Sequence, residues 1–472
     1  MSNLPRRTNI IATIGPETES PEMLQKLIKA GLDIVRINMS HAKHDQVRKV
    51  VKNIRESSRL CNRVVGILMD IQGPAIRTDD LPAPMDLKPG ETIAITVKNE
   101  ISKEHRSVNV NYDHLVDDLN LGDIVLIDNG EIHLKVIEKH RNQLDCEVLT
   151  EGVLGSRRHI NLPGVRVNLP SLTDKDLKDI ELGIEMDVDF FAMSFVREAA
   201  DIIKLKGILD YQKASQKIIA KLEDQQGISN LDEIIQVADA IMVARGDLGI
   251  ECAYEELPII QRRMVKKCIL KGVPVIVATH MLESMIENPA PTRAEITDVA
   301  NAVFEQADAI MLSGETSTGK YPVECVEMMD KIARRIERSG GAGYAELAEL
   351  DSDQAKMMKS ACVMTDQLGA RALVVFTRTG NSARCAAWLR PEKTAVYAFT
   401  DDAKLYHQLT LNWGTAPFLI PFDEDEPSNT VDAALKVLKQ NGRIKPGETF
   451  VLVTEIKVKN KLIPTIQMKN LE

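Results

Sequence analysis

The sequence predicts an α/β protein built around a closed (β/α)8 barrel of the TIM type. A small β-barrel domain is inserted into it, and a separate α/β domain follows at the C-terminal end. Three observations carry this prediction. Short apolar, β-branched runs alternate with helical patterns three times, stop, and then resume five more times, eight in all. The interruption, residues 74–170, reads as strands without a helical period. A Gly-rich seam at residues 338–343 (RSGGAG) then opens a new alternation. The breaks divide the chain into a barrel (1–73 and 171–338), an insert (74–170) and a C-terminal domain (344–472).

The first strand, Asn9–Ile14, ends at Gly15-Pro16, and the helical pattern Pro21–Ala30 follows with Gly31 as its stop. Residues 33–39 form the second strand, 45–59 a polar helix, and 64–69 a third strand ending in Asp70. This βαβαβ rhythm implies a parallel sheet with right-handed crossovers. Gly73-Pro74 breaks it. Strands of the insert are expected at 92–97, 107–110, Ile124–Ile127 and 131–137, with Asp128-Asn129-Gly130 as a tight hairpin turn. The rhythm resumes with 190–195, 218–223, 240–243, 274–279 and Ala309–Leu312. An open doubly wound sheet would use the same alternation, but no Gly-rich dinucleotide turn follows the first strand. Beyond the seam, 355–368 and 431–439 read as helices, and Ala372–Phe376, 394–398, 450–453 and 465–468 as strands.

A chain of 472 residues is too long for one core. Hydrophobic content of 44% with 27% charged residues is that of a soluble globular protein. Aromatics make up only 4%, so the cores must rest on Ile, Val, Leu, Ala and Met. A net charge of −10 argues against nucleic acid or an anionic membrane as the main partner, while leaving room for local basic pockets. The seven cysteines are scattered and form no CxxC pair, which fits a reducing compartment without a disulfide framework or zinc site. Residues 1–7 are polar, and no apolar run approaches a membrane span, so a cytoplasmic protein is expected.

Barrel chemistry sits at the C-terminal ends of the strands. Those ends carry Arg36, Asn38 and Ser40 (strand two), Asp70 (three), Ser194 (four), and Lys221 with Glu223 (five). They continue with Arg245-Gly246-Asp247 (six), Thr279-His280 (seven) and Ser313-Gly314-Glu315-Thr316 (eight). One or two polar ends are ordinary; seven read as a site. Lys221 and Glu223, two apart, project from one face of their strand. Taken alone they would be a solvated ion pair. Glu223 and Asp247, on adjacent strand ends, are a carboxylate pair suited to Mg²⁺ with water and substrate oxygens. Gly246 and Asp247 open a helical turn whose N–H groups suit an anion. Arg36, Arg77, Arg158 and Lys221 add positive charge, so the substrate should be anionic and phosphorylated. Cations, a divalent metal and little covalent machinery are the parts of phosphoryl transfer.

Several motifs in order resemble pyruvate kinase. They are Ile11-Ala12-Thr13-Ile14-Gly15-Pro16, Arg36-Ile37-Asn38-Met39-Ser40-His41, Asp70-Ile71-Gln72-Gly73-Pro74 and Lys221-Leu222-Glu223. Met242-Val243-Ala244-Arg245-Gly246-Asp247-Leu248-Gly249, Ala278-Thr279-His280-Met281-Leu282-Glu283-Ser284-Met285, Pro291-Thr292-Arg293-Ala294-Glu295 and Met311-Leu312-Ser313-Gly314-Glu315-Thr316 complete the set. The resemblance implies transfer of the phosphoryl group of phosphoenolpyruvate to ADP, giving pyruvate and ATP in glycolysis. It makes Glu223 and Asp247 the ligands of Mg²⁺ or Mn²⁺, and Lys221 the group that meets the phosphoryl and the enolate. Arg36 contacts the phosphate, and Thr279 relays the proton that turns enolpyruvate into pyruvate. Ala244, Arg245, Gly246 and Asp247, with Thr279 and Ser194, would bind the substrate. Asn38, Ser40, Asp70 and Ile71 would form a pocket for a monovalent cation such as K⁺. Thr13, Pro16, Arg36, Asn38, His41, Arg77 and Arg158 would line the nucleotide site. The insert becomes a lid, with Arg77 at its hinge and Arg158 reaching down. The family also implies a homotetramer with Arg293 at an interface. Thr377, Thr379, Asn381 and Ser382, after a strand of the last domain, read as turn chemistry or as an effector phosphate loop. Thr292 and Glu295 form a capping box by themselves.

The chain departs from the family pattern in places. Ala75 stands where potassium-dependent members carry Glu and potassium-independent ones Lys, so the K⁺ requirement stays open. His280 replaces a Gln, Arg157-Arg158 a Lys pair, and Asn129 an Asp. The stretch 454–471 lacks the Gly-rich loop of members activated by fructose 1,6-bisphosphate, so strong activation by it is not expected. Two rival readings remain: another Mg²⁺/enolate barrel enzyme acting on pyruvate, and a regulatory homologue without catalysis. The first needs no lid, and retention of Arg36, Lys221, Glu223, Asp247 and Thr279 opposes the second.

Overall fold

The computed structural model describes residues 5–458 and 461–471. Strands β1 (Asn9–Ile14), β2 (Ile34–Asn38) and β3 (Gly66–Ile71) precede the insert. The insert holds β4 (Met85–Leu87), β5 (Thr92–Thr96), β6 (Arg106–Asn109), β7 (Ile124–Ile127), β8 (Ile132–Lys139), β9 (Gln143–Val148), β10 (Gly152–Leu154) and β11 (Ile160–Asn161). The barrel is completed by β12 (Phe190–Met193), β13 (Lys217–Leu222), β14 (Ala240–Ala244), β15 (Val275–Ala278) and β16 (Ala309–Leu312). All eight barrel strands pair in parallel in the closed order β1-β16-β15-β14-β13-β12-β3-β2.

Strand alternation sorts each barrel strand into two rows. Ile11, Ile34, Leu68, Phe190, Ala192, Ile219, Met242, Ile276, Ala278 and Met311 fill the barrel, while Ile10, Val35, Ile67, Ala220, Ile241 and Ile310 pack outward under the helices. Leu411, from the C-terminal domain, joins the inner row, and only Phe190 in it is aromatic. The expected Ile, Leu, Val, Ala and Met core is what the barrel has. Helix Arg293–Phe304 begins with the expected capping box: Thr292 Oγ1 accepts from the Glu295 N–H at 3.2 Å, and Glu295 accepts from the Thr292 N–H at 2.6 Å.

The insert is a mixed, sheet-rich domain. Its main sheet has the order β11-β7-β8-β9-β5-β6, and β4 pairs with β10 in a separate ribbon. The hairpin at Asp128-Asn129-Gly130 is present, with all three residues at positive φ between antiparallel β7 and β8. Four strands were not expected from the sequence: β4, β9, β10 and β11. Three of these have only two or three residues, too few to show alternation. The fourth, QLDCEV, buries Asp145 among apolar neighbours and so hides its period. The third barrel strand also runs further than expected, because Asp70 lies within it. Its charge is tolerated there since two cations meet it.

The C-terminal domain adds β17 (Ala372–Phe376), β18 (Ala395–Thr400), β19 (Thr415–Leu419), β20 (Thr449–Val458) and β21 (Lys461–Asn470). Its sheet order is β19-β18-β17-β20-β21, with only β21 antiparallel. β19 was not expected; its TAPFL carries a proline at the sheet edge. The seam lies just beyond helix Pro322–Glu337, with Gly340 and Gly343 at positive φ. Arg390 locks this domain to the barrel, its guanidinium 2.7 Å from Asp308, both side chains at most 5% exposed. Of the stretch where an effector loop was judged missing, residues 459–460 lie outside the described residues; those flanking them form β20 and β21. Among the described residues, no helix is long and apolar enough to cross a membrane.

Candidate active site

One row of polar groups sits directly above the apolar filling of the barrel. Thr13, Arg36, Asp70, Ser194 and Lys221 each lie two residues beyond an inward apolar residue (Ile11, Ile34, Leu68, Ala192 and Ile219). The alternation that buries the core therefore delivers these side chains inward at the strand ends. Glu223 continues the row beyond Lys221.

These groups form one hydrogen-bonded chain. The Thr13 hydroxyl donates to the Leu312 carbonyl (2.8 Å) and accepts from Arg36 (3.0 Å). Arg36 Nε lies 2.7 Å from one oxygen of Asp70, and Lys221 Nζ lies 3.0 Å from the other. Lys221 also lies 3.1 Å from Glu223 and donates to Ser194 Oγ at 2.6 Å. Glu223 in turn accepts from the Phe195 N–H at 2.7 Å. The expected Lys221–Glu223 pair is thus one half of a two-carboxylate clamp whose other half, Asp70, comes from a distant strand.

The clamp decides the charges. Burial opposes the Lys221 ammonium, but Asp70 and Glu223 outweigh it and hold its pKa above the ordinary lysine value. Burial likewise opposes the Asp70 carboxylate, yet Lys221 and Arg36 prevail and lower its pKa. Glu223 goes the other way. Burial pushes it up to about 7, Lys221 offsets only part of this, and Asp247 and Asp70 add to it. A buried carboxyl so crowded by other carboxylates fits a bound divalent cation, which would relieve both burdens.

Across from this chain, helix Arg245–Glu251 begins at the end of β14, as the sequence suggested. The Gly246 N–H already donates to Thr279 Oγ1 at 2.8 Å, and that hydroxyl donates to the Ala278 carbonyl at 2.6 Å. Thr279 and His280 have φ of 69° and 55°, a backbone that a β-branched residue adopts only when held. The Arg245 side chain does the holding. It donates to the carbonyls of Thr279 (2.6 Å) and Ala278 (3.1 Å) and pairs with Asp298 at 2.6 Å. Sequence reasoning placed Arg245 by its backbone and missed Asp298, which lies far along the chain with no motif of its own. It also gave no role to Glu315, fully buried and accepting from the N–H groups of Leu282 (3.0 Å) and Ser313 (2.7 Å).

Of the proposed cation-pocket residues, Asn38 accepts from the Ser40 N–H at 3.1 Å, and the Ile71 carbonyl accepts from Ser194 Oγ at 2.8 Å. Pro16 and His41 are exposed in the loops beyond β1 and β2. Arg77 and Arg158 are engaged within the lid, Arg77 with the Arg157 carbonyl (3.1 Å) and Arg158 with Asp128 (3.2 Å). Beside the site, it is their neighbours that reach the barrel, while Arg197 of the barrel donates to the lid carbonyls of Val167 (2.9 Å) and Leu169 (2.6 Å). His159 lies 3.8 Å from Asp247, and Asn161 donates to Glu251 at 3.1 Å. Burial lowers the His159 pKa despite Asp247. A cleft of about 580 Å³ between lid and barrel runs from Glu223, Phe195 and His159 toward Arg166, Arg197 and Asn230.

Arg293 and the turn at 377–382 stand apart from this cluster. Arg293 is exposed at the start of its helix. Thr377 Oγ1 accepts from the Gly380 N–H (2.9 Å), Asn381 from Arg384 (3.4 Å), and Ser382 from Gln354 (3.1 Å). Thr379 and Asn381 line a cavity of about 80 Å³ with Lys217 and Asp239, which lie at the N-terminal ends of β13 and β14. That is the opposite end of the barrel from Lys221.

Comparison with known proteins bears on the fold and the family. A family model described as "Pyruvate kinase, barrel domain" matches residues 5–326, and one described as "Pyruvate kinase, alpha/beta domain" matches residues 355–462. The chain is 37% identical over 467 residues to a Staphylococcus epidermidis protein named "Pyruvate kinase", covering 96% of this chain and 78% of that one. It is 41% identical over 453 residues to "Plastidial pyruvate kinase 2" of Arabidopsis thaliana, covering 95% and 78%. It is 39% identical over 472 residues to "Pyruvate kinase" of Geobacillus stearothermophilus, covering 96% and 78%. The closed barrel, the lid set into it after its third strand, and the clamped lysine at its rim therefore have a common explanation: the chain belongs to the pyruvate kinase family.

Proposed function

We propose that the protein transfers the phosphoryl group of phosphoenolpyruvate to ADP, giving pyruvate and ATP. The observation that carries this reading is the Lys221 ammonium, buried and kept charged between Asp70 (3.0 Å) and Glu223 (3.1 Å), with Arg36 on the far oxygen of Asp70. Such a preorganised cation pair suits charge that develops on a transferring phosphoryl and on an enolate. Lys221 faces both, and Arg36 binds the phosphate. The backbone from Ala244 to Asp247 receives the substrate carboxylate. Thr279 Oγ1, within 2.8 Å of the Gly246 nitrogen and 2.6 Å of the Ala278 carbonyl, relays the proton to the enolate carbon.

Glu223 and Asp247 would hold Mg²⁺ or Mn²⁺, which when bound would supply positive charge to substrate oxygens. Asn38, Ser40, Asp70 and Ile71 would hold K⁺ if it is required. Thr13, Pro16, Asn38, His41, Arg77 and Arg158 would meet the nucleotide as the lid closes. A cytoplasmic homotetramer with Arg293 at an interface, an effector site at Thr377, Thr379, Asn381 and Ser382, and weak response to fructose 1,6-bisphosphate belong to the same reading. The test is pyruvate formation from phosphoenolpyruvate and ADP with Mg²⁺, with and without K⁺. Turnover is expected in at least one condition, and none in either overturns the proposal.

A further inference from the structure

Away from the barrel rim, the lid gathers three metal-binding side chains at the turn between β8 and β9. We propose that Glu138, His140 and Asp145 form a binding site for a divalent transition ion of the Zn²⁺ class, water completing its coordination. The residues come from two paired strands: Glu138 is in β8, His140 just beyond it, and Asp145 is in β9.

The backbone departs from regularity to assemble them. Between Val136 and Glu138 the β8–β9 register shifts: Val136 faces Cys146, but Glu138, two residues on, faces Asp145, the very next partner position. Bulges of this kind re-aim a side chain and recur at functional positions. Here the bulge turns Glu138 toward Asp145 and His140.

The distances suit a metal. A tetrahedral ion with bonds of about 2.0–2.2 Å spaces its ligand atoms about 3.3–3.6 Å apart. His140 Nε2 is 3.0 Å from Asp145 Oδ2, a hydrogen bond that an ion would replace, and 3.8 Å from Glu138 Oε1, values that bracket this spacing. The ligand atoms of all three residues lie within 4.8 Å of one another. His105 Nε2 approaches the same Asp145 oxygen to 4.0 Å. The other Asp145 oxygen accepts from Gln143 at 2.6 Å, an outer support of the sort that orients a ligating carboxylate. Asp145 is 4% exposed, so the anchor of the site is rigid, whereas Glu138 and His140 are open enough for an ion to enter.

The chemistry selects the ion. An imidazole nitrogen beside two carboxylates favours Zn²⁺, Co²⁺ or Ni²⁺ over Mg²⁺, which prefers oxygen alone. The all-oxygen pair Glu223 and Asp247 has the opposite preference. The two sites are therefore separable with a single protein sample. A bound ion would pin the ends of β8 and β9 together at their connecting turn.

The test is calorimetric titration of the chelator-treated, full-length protein with Zn²⁺ in saturating Mg²⁺, followed by Co²⁺ as a visible-absorption probe. One Zn²⁺ per chain is expected beyond any that enters the barrel site. A Co²⁺ spectrum of low-coordinate nitrogen and oxygen ligation should accompany it. His140→Gln should weaken Zn²⁺ binding by about tenfold or more, and Glu138→Gln should weaken it too. Both side chains are exposed, so neither change threatens folding. Zn²⁺ uptake and a Co²⁺ spectrum identical in the parent and in a protein carrying both substitutions would overturn the proposal, as would no Zn²⁺ uptake by the parent.

Discussion

Replacing Arg245 by Met should impair turnover from a side chain that meets only protein groups, the Thr279 and Ala278 carbonyls and Asp298 among them. The guanidinium is 8% exposed and bonds the carbonyls of Thr279 and Ala278 at 2.6 and 3.1 Å. Each such charged hydrogen bond contributes about 1.5–3 kcal/mol. Asp298, left unpaired, adds less than a fully buried ion would, since its side chain is 33% exposed. The expected loss of stability is about 3–5 kcal/mol. The second consequence concerns Thr279. Its φ of 69° is strained by about 1–3 kcal/mol and persists because its surroundings impose it. Without Arg245 the segment relaxes, and the competent conformer becomes about 5- to 150-fold rarer. The kcat of pyruvate formation should fall by that factor. Exchange of pyruvate methyl protons into D2O, which reports the proton relay alone, should fall with it. Arg245→Lys, which keeps charge without the planar fork, should lie between. A Met variant with a lowered Tm but a kcat within about twofold of the parent would refute the claim that Arg245 holds Thr279.

Three further outcomes are expected. Lys221→Met should lower kcat by at least about 10²–10³-fold while Mn²⁺ binding, followed by electron paramagnetic resonance, is retained; unchanged turnover would remove Lys221 from its role. Asp308→Ala leaves the Arg390 guanidinium buried without its carboxylate and should cost about 3–5 kcal/mol. Calorimetry should then show the C-terminal domain melting apart from the barrel. Glu251, bonded to the lid's Asn161, is pushed by burial up to about 7 from an ordinary 4.5. A raised carboxyl holds its proton longer in the folded form, where Asn161 is docked on it. Its contribution is therefore full below about pH 4.5 and is lost as pH rises through 7, by up to about 3 kcal/mol. Hydrogen exchange at residues 160–162 should speed up across that window, and Glu251→Gln should flatten the dependence.

The inward row at the barrel rim was legible before any coordinates, because a strand's alternation is set by the residues themselves. Ile219, Lys221 and Glu223 share a face whatever surrounds them, and so do Ile34, Arg36 and Asn38. The eight-strand count and the seam before the last domain were legible for a similar reason, since apolar period and glycine act over a few residues. The capping box of Thr292 and Glu295 and the Asp128-Asn129-Gly130 turn are equally local.

Other features had no local signature. Asp70 meets Lys221 only because closing the ring brings β3 beside β12 and β12 beside β13. Arg245 stands in a motif that draws attention to its backbone, yet packing turns its side chain to Asp298 and the Thr279 carbonyl. At the site the lid meets the barrel through His159 and Asn161, next to the arginine the resemblance favoured, while the Arg158 guanidinium is held by Asp128. The bulge that turns Glu138 toward Asp145 depends on the register of two strands, which neither encodes alone. Periodicity is a property of neighbours along the chain and survives being read in one dimension. Distances between charges depend on ring closure, register and packing among residues far apart in sequence, and these arise only when the whole chain has folded.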